Sequence, residues 1–227
     1  MGRPYYLPAR WRRPSISARG GTVSGLGKAR VEALTDGIFG AVMTVLGLSL
    51  TIPYITGPAN QQLPALEDIA TGVLTYALSF VTVGVFWVGH HVGFQIVKRT
   101  DRTFIWLNNS FLLFVGLLPL TTALLGHHPF EQVTIVAYGL NLLAIQTFMF
   151  LTIWYATLHH HLVEAGLNDR FIWLARRRML MGPGFSAAAI LLSFLNPVFS
   201  LGAYVLYPVF FITPGRIDRL WRRQEVK

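Results

Sequence analysis

The chain contains no cysteine among its 227 residues, and only 13% of its residues are charged. The absence of cysteine excludes disulfide bonds, thiolate metal sites and cysteine nucleophiles. A soluble domain carries roughly 25% charged residues, so the low charge content excludes a disordered chain and an ordinary water-soluble enzyme. Acidic residues are especially few: ten Asp and Glu stand against nineteen Lys and Arg, which gives a net charge of +9.

Apolar sequence takes the place of the missing charge. Hydrophobic residues make up 53% of the chain, and its mean hydropathy is +0.49. About 20 consecutive apolar residues span a bilayer as a helix, and the chain has room for six such segments. We therefore predict an all-α integral membrane protein with six transmembrane helices per subunit, at about residues 30–52, 66–97, 104–125, 133–158, 179–195 and 198–213. A basic tail at residues 1–28 precedes this helical domain of residues 29–214, and a second basic tail at residues 215–227 follows it.

The positive charges alternate along the chain. Seven Lys and Arg precede or begin the first span, three lie between the second and third, four between the fourth and fifth, and five after the sixth. The other three connections contain none. The positive-inside rule places the basic side, and with it both termini, in the cytoplasm. Nucleic-acid binding would not produce this alternation, so we predict a multi-pass protein of the cell membrane with no nucleic-acid partner.

The connection between the last two spans excludes one type of channel. It consists of little more than the turn at Asn196-Pro197, which leaves no room for a re-entrant filter loop. Selectivity filters made of backbone carbonyls need such a loop.

Several polar residues lie at membrane depth in the first three spans. The first span begins on the predicted cytoplasmic side, the second ends there and the third begins there. At a rise of 1.5 Å per residue, these residues lie roughly 9–15 Å inside the same face of the membrane. A single polar cluster is therefore geometrically possible, with the members Arg30, Thr35, Asp36, Trp87, His90, His91 and Asn108.

Three interpretations of this cluster remain open. Polar side chains join membrane helices, so the cluster can clamp the first three helices together, with Arg30 offsetting the charge of Asp36. Ionisable groups at membrane depth also serve gating or proton sensing. A catalytic pair of Asp36 and His90 is the third possibility, but no nucleophile or second carboxylate lies nearby, so we predict that the protein is not an enzyme.

The histidine run at 159–161 is a weak metal-ligand set, because adjacent residues on a helix point in different directions. We interpret it as a polar cap at the membrane interface. No metal site and no cofactor are predicted.

The first span carries a recognisable signature. The segment RVEALTDGIFGAVMT, from Arg30 to Thr44, resembles the first-helix signature of the lysosomal-type potassium channel family, transmembrane protein 175 and its prokaryotic relatives. In that signature Arg is followed, after three residues, by Phe-Ser-Asp-Gly. Here Leu34-Thr35 take the place of Phe-Ser, so the hydroxyl is kept and the aromatic ring is lost.

Two further motifs extend the resemblance to about residues 28–214. The family's second helix carries a Trp-x-x-His-His pattern, which Trp87, His90 and His91 match. Its third helix carries Leu-Asn followed by a proline, which Leu107-Asn108 and Pro119 match.

The resemblance implies a potassium-selective cation channel whose partners are potassium ions, membrane lipids and further copies of the chain. The resemblance to prokaryotic members also implies a homotetramer in which four copies of the first helix line the pore. The family's pore positions fall five, eight and twelve residues after the motif Asp, at Ala41, Thr44 and Leu48. Leu48 would form a hydrophobic constriction, and a ring of Thr44 hydroxyls would hold potassium transiently. Ala41 is smaller than the bulky aliphatic residue that is usual at its level.

From the residues alone, other functions stay open. Ala41, Thr44 and Leu48 lie within about 80° of one another on a helix, but the glycines at 37, 40 and 47 equally favour ordinary helix packing along the first span. A secondary transporter or a proton-conducting channel would use Asp36 and His90 or His91 as titratable groups. An intramembrane enzyme built on Asp36 and His90 is the remaining class.

Overall fold

The computed structural model describes residues 27–48, 59–164 and 166–213. Within these ranges the chain forms six α-helices, and a short 3-10 turn at Leu158–His160 follows the fourth. The predicted all-α class is thus confirmed for the described residues. The helices are α1 Lys28–Leu48, α2 Ala59–Gln95, α3 Arg102–His127, α4 Gln132–Thr157, α5 Asp169–Ser193 and α6 Pro197–Ile212.

Four of the described helices are long and apolar enough to cross a membrane: α1, the part Ile69–Gln95 of α2, α3, and α4 with the turn that follows it. Helix α6 is apolar but has only 16 residues. Helix α5 has 25 residues, but four arginines lie in its first half. Both predicted basic tails lie outside the described residues, except for residues 27 and 28 at the start of α1. Residues 49–52, the end of the first predicted span, also lie outside them.

Helix α5 begins ten residues before the predicted start of the fifth span. The prediction rested on apolar length and therefore left out the arginine-rich segment. The structure shows why this segment is helical: the side chain of Asn168 accepts a hydrogen bond from the backbone N–H of Arg170 at 2.8 Å and caps the helix. Phe171 and Ile172 in its first turn are buried, so an apolar face holds the polar segment against the bundle.

Helix α4 lies at the centre, packed by α3 on one side and by α5 and α6 on the other. Gly139 allows the closest approach, since a Cβ atom there would lie 2.6 Å from Cγ1 of Ile190 and would also meet the hydroxyl of Tyr204. That hydroxyl donates a hydrogen bond to the carbonyl of Ile135 at 3.1 Å. The main core around this centre includes Phe39, Leu46, Val83, Phe86, Phe111, Leu118, Tyr138 and Leu142.

Hydroxyl groups also join helices inside the bundle. Thr122 in α3 donates to Ser79 in α2 at 2.8 Å, and the Ser79 hydroxyl lies 3.2 Å from that of Tyr138 in α4. All three side chains are buried. Each polar group therefore has a partner where no water is at hand to replace it.

The two basic connections between helices meet at one end of the bundle. Val97 pairs with Val163 in an isolated β-bridge, and the backbone N–H of Lys98 donates to the carbonyl of Leu162 at 2.8 Å. The ammonium group of Lys98 lies 3.6 Å from the carboxylate of Glu164. The alternating charge pattern requires these two connections to share one side of a membrane, and the structure joins them.

Candidate functional site

Helix α1 has two distinct faces. Val31, Thr35, Phe39, Val42 and Leu46, spaced three or four residues apart, are buried against the rest of the subunit. Residues three or four apart share one face of a helix, so this spacing presents a single stripe to the core.

The predicted pore positions lie on the other side of α1. Ala41, Thr44 and Leu48 are all exposed, and Leu48 has 79% of its surface accessible. The stripe therefore projects from the subunit and does not pack into its interior. An exposed stripe on a membrane helix meets lipid, another protein chain or a water-filled path.

The hydroxyl of Thr44 has a fixed orientation. It donates its proton to the carbonyl of Gly40 at 2.9 Å, one turn earlier in the helix. A hydroxyl carries one proton and two acceptor lone pairs. Because the proton is used within the helix, the exposed side of Thr44 presents an oxygen acceptor, the group that a dehydrating cation seeks.

A buried hydrogen-bonded chain fixes the other face of α1. The amide nitrogen of Asn108 in α3 donates to the hydroxyl of Thr35 at 3.1 Å, and its oxygen lies 2.9 Å from Nε2 of His90 in α2. Thr35 in turn donates to the carbonyl of Val31 at 2.9 Å. All three side chains are buried, so one residue from each of the first three helices meets in this chain.

Aromatic rings enclose His90. Its imidazole stacks on Phe94 with 4.0 Å between ring centroids and on Phe111 with 5.4 Å, and the ring of Phe39 in α1 lies 6.4 Å away. This shell was not predicted, because single Phe residues in apolar spans carry no distinguishing signal. The shell isolates His90 from the exposed face of α1.

A second contact between α1 and α2 lies at the surface. The indole Nε1 of Trp87 donates to a carboxylate oxygen of Asp36 at 2.9 Å. His91 stacks on the Trp87 ring at 5.8 Å, and its Nε2 lies 3.3 Å from the side-chain amide of Gln95. Both Asp36 and His91 are exposed, so His91 belongs to this surface contact and not to the buried chain of Thr35, Asn108 and His90.

In the part of the chain that the structure describes, Arg30 does not make a direct ion pair with Asp36, the residue whose charge it was expected to offset. Six residues at 100° each place the two side chains about 120° apart around α1, so they point in different directions. Asp36 instead takes its hydrogen bond from Trp87.

A polar cluster at the basic end of the bundle was missed by sequence analysis. Asp101 caps α3 by accepting the backbone N–H of Phe104 at 2.8 Å, and it also accepts the hydroxyl of Tyr155 at 2.7 Å. Nε2 of His161 lies 3.0 Å from the same carboxylate. Partial burial by itself raises the pKa of Asp101, but these hydrogen bonds outweigh it and hold the pKa below its usual value. An Asp directly before a helix is a typical N-cap and was the available signal.

The histidine run lies where α4 ends. His159 and His160 have φ angles of 51° and 54°, the left-handed region in which a non-glycine residue is strained. Nε2 of His160 lies 3.2 Å from the carbonyl of Leu167 and 3.5 Å from the carboxylate of Asp169. Among the described residues, no group of three or more His, Asp or Glu is placed to hold a metal ion.

Comparisons with known proteins point to one family. The family model described as "Endosomal/lysosomal potassium channel TMEM175" matches residues 30–119. A protein of Chryseobacterium sp. (strain P1-3), named as a potassium channel, is 27% identical over 83% of this chain and 94% of its own length. One from Chamaesiphon minutus, also named as a potassium channel, is 29% identical over 80% and 92%. The human protein named "Endosomal/lysosomal proton channel TMEM175" is 27% identical over 81% of this chain but only 39% of its own length.

Two solved structures are also similar to this chain. The crystal structure of a lysosomal potassium-selective channel TMEM175 homologue from Chamaesiphon minutus superposes with a TM-score of 0.70. The two chains are 26% identical, and the match covers 81% of this chain and 95% of that one. A variant of the potassium channel MtTMEM175, solved in complex with a nanobody fusion protein, matches with a TM-score of 0.56 at 19% identity over 94% and 98%, which shows a shared fold.

Proposed function

We infer that this chain is a potassium channel of the TMEM175 family, in which several copies of α1 surround the ion path. Bacterial relatives that match over more than four-fifths of their own length are named as potassium channels. We further propose a homotetramer in the cell membrane, with six spans per subunit and both termini in the cytoplasm.

The observation that carries this proposal is the two-faced character of α1. One face is held by buried contacts to α2 and α3, and the opposite face exposes Ala41, Thr44 and Leu48. A single six-helix subunit offers no central ring, so the ion path needs copies related by a symmetry axis. Rotation about such an axis next to α1 brings the three exposed positions into rings.

Each ring has a distinct proposed role. Leu48 side chains would form a hydrophobic constriction that excludes water and thereby sets the conductance. Thr44 oxygens, with their protons used within the helix, would replace part of the hydration shell of potassium and hold the ion transiently. Ala41, on the side of the Thr44 ring towards Asp36, would leave the ion path wide.

The polar contacts of α1 fit a positioning role. The chain of Thr35, Asn108 and His90 and the bond between Trp87 and Asp36 fix the rotation of α1 at two levels. A pore helix needs a fixed rotation, because a turn of about 100° would replace each lining residue by its neighbour. We therefore propose that this set clamps the pore helix.

Proton conduction along the same surface is a second candidate. The exposed carboxylate of Asp36 on α1 favours it, and vertebrate relatives are named as proton channels. His90 does not support a relay, because Phe94 and Phe111 enclose its ring. A proton route would therefore use Asp36, at the contact between α1 and α2, instead of the buried histidine.

Purified protein in liposomes tests the proposal. Potassium and sodium gradients are compared side by side, and a pH-sensitive dye in the same vesicles reports proton flux. We expect rapid potassium flux that exceeds sodium flux. Flux that saturates at a low rate would indicate a transporter, and a pH change without potassium movement would indicate the proton channel; either result would overturn the proposal.

A further inference from the structure

A lateral groove of about 620 Å³ lies between α2, α5 and α6, within the range of about 300–1,000 Å³ typical of ligand pockets. It lies on a part of the subunit that the stripe of Ala41, Thr44 and Leu48 does not include. The groove is mostly apolar, and the aliphatic side chains that line it include Val81, Val85, Val88 and Val92 of α2 and Met149 of α4.

Glycines leave space for this groove. Gly84, Gly89 and Gly182 all line it. A Cβ atom at Gly84 would find no atom within 4 Å, and one at Gly89 would meet only the flexible end of Met149, at 3.6 Å. The space at Gly84 is thus open volume that a larger side chain would fill without a clash at its Cβ.

One arginine side chain lines the groove. Among the described lining residues, Arg178 carries the single charge. Its guanidinium donates to the carbonyl of Phe211 near the end of α6 at 3.2 Å, and Arg178 belongs to the arginine-rich first half of α5. The groove thus combines an apolar body with one guanidinium.

We propose that this groove binds one anionic phospholipid, with an acyl chain along α2 and the phosphate at Arg178. The charge and the apolar lining together complement a molecule with an apolar tail and one anionic head. A guanidinium presents a planar fork of donors that matches phosphate oxygens. Basic pockets between membrane helices on the cytoplasmic side bind anionic headgroups by the same chemistry.

The bound lipid would contact the residue that positions the proposed pore helix. Trp87 lines the groove and at the same time donates its indole N–H to Asp36 of α1. With 39% of its surface exposed in the subunit, Trp87 has area left for an acyl chain to cover. Occupancy of the groove therefore restrains the rotamer that bonds α1.

Native mass spectrometry of the purified protein tests the site directly. Protein is supplied with phosphatidylglycerol or with phosphatidylcholine of identical acyl chains, and bound copies are counted. We expect retention of phosphatidylglycerol over phosphatidylcholine. Arg178→Gln should weaken phosphatidylglycerol retention by about tenfold, the loss expected for a charged hydrogen bond. Arg177→Gln is the matched control, because the Arg177 guanidinium lies over the Trp173 ring at 5.3 Å and does not line the groove.

A second pair of variants tests the apolar part independently of Arg178. Gly84→Leu fills the groove and should abolish lipid retention with the oligomeric mass unchanged. Gly202→Leu adds the same side chain at an exposed α6 position with nothing within 4 Å and should retain lipid. Equal retention of the two lipids, or unchanged phosphatidylglycerol binding in both Arg178→Gln and Gly84→Leu, would overturn the proposal.

Dissociation of the oligomer by Gly84→Leu would also overturn it, since a second copy of the chain would then be the occupant of the groove. The readout is binding, so the result holds whether or not the protein conducts potassium. A protein that binds the lipid but shows no flux would contradict the proposed function alone.

Discussion

The side chains of Thr44 and Leu48 have the two proposed roles in ion conduction. The Thr44 proton is bound to the carbonyl of Gly40 at 2.9 Å, so its oxygen is the group left to meet a cation. Leu48, one turn further along α1, is exposed over 79% of its surface and has no polar atom in its side chain. One residue thus offers a ligand, and the other repels water.

Replacing Thr44 by Val removes the acceptor oxygen and keeps the shape of the side chain. We expect the ratio of potassium to sodium permeability to fall by about fivefold, equivalent to about 1 kcal/mol for one lost polar contact. Reversal potentials in planar bilayers measure this ratio. Thr75→Val is the matched control, because Thr75 in α2 makes the same bond one turn back, to Thr71 at 2.9 Å. Unchanged reversal potentials for Thr44→Val would contradict the assignment.

At the scale of helices, the sequence predicts which segments are helical better than it predicts where each helix begins and ends. Apolar length predicts the approximate positions of the helices. The structure joins Thr35, Asn108 and His90 by hydrogen bonds, as the predicted cluster of the first three spans allowed. The start of α5 could not be predicted from apolar length, because a capped and half-buried polar segment extends the helix. The cluster at Asp101 joins connections distant in the chain, and such a contact depends on how α4 packs against α3.

The close approach of helices at Gly139 requires a residue without a side chain, and this requirement can be tested. Gly139→Ala places a methyl group against Ile190 and Tyr204, so we expect a loss of stability of about 1–3 kcal/mol from overpacking. Gly202→Ala meets nothing within 4 Å and should be neutral or stabilising, since Ala favours a helix over Gly. Thermal unfolding in detergent micelles compares the two variants. Equal melting temperatures would show that α4 does not need the close approach.

The cap of α3 predicts a pH dependence. The pKa of Asp101 is lowered in the folded protein. Its contribution to the stability of the fold is therefore fully present above the pKa of the unfolded chain, about 3.9, and is lost as the pH falls through the folded pKa. Asp101→Asn keeps a capping side chain but removes the charge. We expect the wild-type melting temperature to fall more steeply than that of Asp101→Asn below about pH 4. Parallel pH profiles would contradict the role of the carboxylate.

At the scale of the whole molecule, the proposed ion path needs more than one subunit. The core of one subunit lies around α4, and the stripe proposed to meet ions lies on the outer surface of α1. The position of a symmetry axis could not be predicted from the sequence of one subunit, because an exposed apolar stripe packs equally well against lipid and against a neighbouring copy. The family relationship supports the axis, and the fixed rotation of α1 determines which residues would line it.

The absence of cysteine from the chain makes the most direct measurement possible. Leu48→Cys introduces the only thiol in each subunit, and a water-soluble, positively charged thiol reagent is applied while single-channel potassium currents are recorded. Leu191→Cys, on α5 and 68% exposed in the subunit, is the control. The account predicts that the reagent blocks the current through Leu48→Cys and leaves that of Leu191→Cys unchanged. Current through Leu48→Cys that continues undiminished after complete labelling would show that α1 does not surround the ion path.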